Sequence, residues 1–149
     1  MNKTHTFCTT IATAFAIGLL IFGGCSTTAS ESGGGGGVKV KLTGDEEVPP
    51  VKTAASGAGS FNISSDKSVS GSITTTGVEG TAAHIHEGPA GKNGPVIVPL
   101  TKGANNTWSV APGAKLTDTQ YESYKAGNLY VNVHSAANKG GEIRAQLKP

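Results

Sequence analysis

The segment AHIHEGPAGKNGPV, residues 83–96, sets two imidazoles, His84 and His86, one residue apart at the mouth of a loop rich in glycine and proline. A third, His134, ends the run LYVNVH at 129–134, and the fourth histidine of the chain is His5. Neutral imidazole is the commonest transition-metal ligand, and three of them without a thiolate suit Cu(II) or Zn(II). On a strand, residues i and i+2 share a side with Cα atoms ~7 Å apart, close enough for both rings to converge on one ion. A metal-free reading uses the same residues: the histidines hydrogen-bond the backbone of loop 87–95 and brace it, as part of a structural or adhesive surface module. Spacing alone leaves both readings open.

The elements that carry these rings read as short strands. VKVKLT (38–43) alternates strictly, while GAGSFNIS (57–64) and SVSGSITTTGV (68–78) alternate more weakly about the turn SSDK; each pattern is that of a half-buried strand. PVIVPL (95–100) and NTWSV (106–110) add two more, and Pro99 marks an edge or a strand end. LTDTQYESYKAGN (116–128) is the one helical stretch, with Thr117 as cap, Gln120 as its capping-box partner and Gly127 as the stop.

LYVNVH (129–134) and EIRAQL (142–147) flank the turn SAANKGG. Alternation places Leu129, Val131, Val133, Ile143, Ala145 and Leu147 toward the core, and Tyr130, Asn132, His134, Glu142, Arg144 and Gln146 away from it. A simple hairpin pairs Asn132 with Arg144 and sets His134 beside Glu142. Glu142 is then expected as a fourth ligand or as the acceptor that orients a ring, and Glu47, in the EVPP stretch, is expected to approach the cluster. In AHIH the same alternation sends Ile85 inward and both imidazoles off the core. Short strands, frequent turns and one helix in a connection predict an all-β, antiparallel sandwich or small barrel.

Residues 1–24 read as a secretory signal: Lys3 gives the positive start, and IATAFAIGLLIF (11–22) is an apolar run too short for the ~20 residues that span a bilayer. FGGC at 22–25 predicts cleavage before a lipid-bearing Cys25, although Phe22 stands where a leucine is usual. Ser26, rather than an aspartate, then favours the outer membrane, by analogy with Gram-negative sorting. STTASESGGGGG (26–37) is a tether with nothing to bury. The expectation is a domain over 38–149 held to the cell envelope by lipid, periplasmic or surface-exposed, and able to meet an envelope or extracellular protein partner.

Signal removal takes His5 and Cys8, so every histidine of the mature chain falls in the two motifs above, and with Cys25 lipidated no thiol remains for catalysis or zinc-thiolate binding. Of twelve Lys and Arg against ten Asp and Glu, only Lys3 is lost. A near-neutral domain with a single arginine and no basic cluster has no footprint for nucleic acid. No catalytic order of Ser, His and Asp and no paired-carboxylate cleft emerges, so no enzyme is expected.

Three blocks, LTGDEEVPPVKTAASGAGSF (42–61), AAHIHEGPAGKNGPVIVPL (82–100) and LYVNVHSAANKGGEIRAQL (129–147), closely resemble the CHRD domain, named for its repeats in chordin and found widely in secreted microbial proteins. The resemblance covers the whole chain after the tether and implies an immunoglobulin-like or superoxide-dismutase-like β-sandwich. Ala145 and Ser135 depart from its usual Gly and Thr. It implies no enzymatic activity, and three imidazoles cannot fill both metal sites of a copper and zinc dismutase.

Overall fold

The computed structural model describes residues 37–149; the expected signal, Cys25 and the tether up to residue 36 lie outside the described residues. The chain forms eight strands, β1 (Val38–Thr43), β2 (Ser56–Ile63), β3 (Val69–Thr76), β4 (Gly80–Glu87), β5 (Val96–Lys102), β6 (Thr107–Val110), β7 (Leu129–Ser135) and β8 (Ile143–Leu147), with a 3-10 turn at Gly44–Glu46 and one helix, α1 (Asp118–Lys125), between β6 and β7. All pairings are antiparallel, in the order β1-β2-β3-β6-β5-β4-β7-β8, and the pair Thr43↔Arg144 joins β1 to β8 and closes the barrel. This is the all-β architecture with a helix in a connection that strand alternation predicts. Among the described residues no helix is long and apolar enough to cross a membrane.

The interior is filled by the inward residues of that alternation. Leu42, Phe61, Ile85, Leu129, Val131, Val133, Ile143 and Leu147 are fully buried. Their burial is the main force for closure, at ~25 cal/mol per Å² of apolar surface removed from water. The capping box of α1 is present in both directions: Gln120 N–H donates to Thr117 Oγ1 at 3.2 Å, and Thr117 N–H donates to Gln120 Oε1 at 2.9 Å. The helix is shorter than the 116–128 stretch because Gly127 takes φ +73° and turns the chain into β7.

The outer face of β4, β7 and β8 departs from a plain inside-outside barrel. Tyr130, Asn132 and Arg144 lie off the core as expected, yet they are as buried as the core itself. The loop 88–95 covers Tyr130 and Arg144, while Asn132 lies against Gly140, Gly141 and Glu47. The single arginine donates to Lys92 O at 2.9 Å, Pro89 O at 3.4 Å and Asn93 Oδ1 at 3.2 Å, while Gln146 donates to Gly88 O at 2.9 Å. Asn93 Nδ2 in turn donates to Val48 O at 2.7 Å and ties the loop to the EVPP stretch. Gly94 has to be glycine, because a Cβ there would run into the carbonyl oxygen of Glu87.

Candidate metal centre

Register brings the three histidines together. β4 and β7 pair Ala82 with His134, His84 with Asn132 and His86 with Tyr130, so His84 and His134 are diagonal neighbours on one outer face. The pairing of β4 with β5 slips between Ile85 and His86, a bulge of the kind that re-aims a side chain. The three residues each offer one ligand atom within 4.8 Å of the others. Atoms so spaced lie within roughly 2.8 Å of a common centre, and a small side-chain adjustment would bring them to the ~2.0–2.1 Å of a metal–imidazole bond.

Hydrogen bonds fix which nitrogens are free. His86 Nδ1 lies 3.0 Å from Gly94 O and His134 Nδ1 lies 2.9 Å from Lys139 O. A carbonyl only accepts, so both protons sit on Nδ1 and both Nε2 atoms present a lone pair. His86 Nε2 is buried and has no partner. His134 Nε2 lies 3.1 Å from His84 Nδ1. Two nitrogens bound to one ion at these bond lengths sit roughly 2.9 Å apart at right angles and roughly 3.4 Å at the tetrahedral angle. The observed spacing falls between the two. A backbone carbonyl on the far nitrogen of two rings is the support that orients metal-binding histidines.

Electrostatics favour the neutral form of His84 and His86. Burial pushes His84 below the usual imidazole value, and the neighbouring His134 and His86 add to the effect. Burial also pushes His86 down, against the opposing bond to Gly94. Each shift favours the form that can bind a cation. His86 stacks on Tyr130 with ring centroids 4.8 Å apart and planes 8° from parallel, and the Arg144 guanidinium lies 3.4 Å from the centroid of the Tyr130 ring.

The two carboxylates singled out in the sequence lie outside the group of three. The terminal ladder has the expected register, Asn132 opposite Arg144, but it ends at Val133↔Ile143. The Glu142 carboxylate accepts from Thr53 Oγ1 at 2.8 Å, anchoring the segment after EVPP. Glu47 is buried, and burial raises its carboxyl to about 7 against the attraction of Arg144. It lies beside Asn132 and so close to Gly141 that a Cβ there would meet Glu47 Oε1, and the Gly141 φ of +137° separately favours glycine.

Sequence reasoning missed Tyr130, Arg144 and Gly94 as the support of the site. A lone arginine on the histidine-bearing face was the one available signal. The bracing reading fits His86 alone, since His134 bonds inside its own turn and His84 meets His134. Loop 88–95 is held chiefly by Arg144, Gln146 and the bond from Gly94 N–H to Tyr130 Oη at 3.1 Å.

No curated protein and no solved structure matches the chain. The model of the CHRD domain matches residues 38–147, from the first strand through the last, with all three histidines inside the match. The three blocks, the barrel they build and that match agree, and the chain belongs to the CHRD domain family.

Proposed function

We propose that this is a cell-envelope lipoprotein whose CHRD domain is a binding module for one Cu(II) or Zn(II) ion, held by His84, His86 and His134. The observation that carries the reading is the buried, partnerless Nε2 of His86, its tautomer set by Gly94 O, beside two more imidazole nitrogens. A buried polar atom without a partner costs about 1–3 kcal/mol, and a metal bond removes that cost. Three neutral nitrogen ligands fit copper or zinc and not the oxygen-seeking calcium or magnesium.

Titration of the purified, tag-free protein with Cu(II) and Zn(II) in a calorimeter is expected to give about one ion per chain. Protons compete for the same nitrogens. Because burial lowers the His84 and His86 values, binding should persist below the ordinary imidazole value of ~6.5 and be lost only at more acid pH. A protein that takes up neither ion at neutral pH rejects the reading and leaves the structural or adhesive module, with an envelope or extracellular protein as its partner.

The envelope location rests on FGGC at 22–25 after an apolar run, followed by a tether with no other anchor. A diacylated Cys25 would hold the domain at a membrane while leaving it in water, and Ser26 favours the outer membrane. In cell fractionation, Cys25→Ser is expected to release the domain or to leave the precursor uncut. A processed Cys25→Ser protein still recovered with membranes would point to another attachment.

A further inference from the structure

A depression of about 520 Å³ opens beside the three histidines, and only two of them, His84 and His134, line it. His86 does not, being closed in by Tyr130 and by Gly94. An ion held by the three rings is therefore covered on the His86 side and reachable from the depression. Zinc sites with three protein ligands characteristically keep a fourth position for water or substrate.

Charge decides what would fill that position. Three neutral imidazoles leave a divalent ion's charge uncompensated. The two carboxylates singled out in the sequence are engaged elsewhere, Glu142 with Thr53 and Glu47 beside Asn132, and no Asp or Glu lines the depression. Its one charged side chain is Lys139, which is exposed and has no ion-pair partner among the described residues. Ala82 and Ala136 supply small apolar walls that leave space for a ligand of a few atoms.

We propose that the ion's remaining coordination position opens into this depression and takes a small exogenous anion, of azide or carboxylate size, beside the Lys139 ammonium. The inference rests on the metal reading above. A cation and an ammonium facing one cavity form an anion site by charge complementarity, with the metal bond supplying affinity and the lysine adding a salt-sensitive increment. Lys139 also supplies, through its backbone carbonyl, the bond that orients His134. Its side chain can be changed without removing that support.

The test is azide titration of the full chain loaded with Cu(II), followed by absorption. Copper content is measured first, and uptake of no copper overturns the metal reading and this inference with it. With copper bound, azide is expected to produce a saturable charge-transfer band. Lys139→Met should weaken azide binding about threefold, the size of an exposed charge pair, with copper content unchanged, and Lys139→Arg should restore it. A copper-loaded protein that yields no azide band overturns the open position. An azide affinity equal in the parent and Lys139→Met overturns the placement of the anion beside Lys139.

Discussion

Arg144→Ala is expected to destabilise the domain by about 3 kcal/mol and to lower its unfolding midpoint by about 10 °C. Arg144 is 1 % exposed, so its contacts are made with almost no competing water. It donates to Lys92 O, Pro89 O and Asn93 Oδ1 and lies over the Tyr130 ring. Hydrogen bonds to a charged group contribute ~1.5–3 kcal/mol each, and a desolvated cation–π contact contributes ~2 kcal/mol. The cost of burying the cation offsets part of that sum. Arg144→Lys should recover little, because an ammonium keeps the charge but cannot fork to two carbonyls while stacking on a ring. A second readout separates support of the loop from bulk stability. Gly94 would lose its backing, the bond that orients His86 would loosen, and metal affinity should fall about tenfold, as when outer partners of a metal ligand are removed. An Arg144→Ala protein that melts with the parent would show that the loop is held by something else.

That residue also marks the boundary of what the sequence could disclose. Alternation in LYVNVH and EIRAQL predicts the core set, the hairpin register and the side on which His134 emerges, because side-chain direction on a strand has a period of two. The capping box of α1 is legible for the same local reason. Alternation cannot say what covers the other side. Tyr130 and Arg144 are buried there by a loop 36 to 52 residues earlier in the chain, and that packing is long-range. The fate of Glu142 follows the same logic: its register position beside His134 is local, while its bond to Thr53 spans 89 residues. Meeting of the three histidines is intermediate. Each strand's facing was readable, but the diagonal His84–His134 contact needed the β4–β7 register, which no turn specifies.

Single removal of any of the three rings is expected to weaken Cu(II) or Zn(II) binding more than about a hundredfold, exceeding the 10–100-fold typical for loss of an outer partner. Their effects on stability should differ, and that difference separates the metal reading from the bracing one. In chelator, His84→Ala should melt within about 1 kcal/mol of the parent, since its ring nitrogen meets only His134. His134→Ala gives up the bond to Lys139 O and the partly buried contact with His84, and should cost about 1–2 kcal/mol. His86→Ala removes a buried ring stacked on Tyr130 and bonded to Gly94 O, and should cost about 2–3 kcal/mol. Excess metal raises the parent's midpoint through its preference for the folded chain, by RT ln(1 + [L]/Kd). All three variants should lose that rise, including the two whose folds are otherwise intact. Bracing predicts the reverse pattern: midpoints that drop for all three in chelator and that metal leaves unmoved in parent and variants alike. His84→Ala is the most telling of the set, because its ring nitrogen bonds to His134 and not to the loop backbone through which bracing would act.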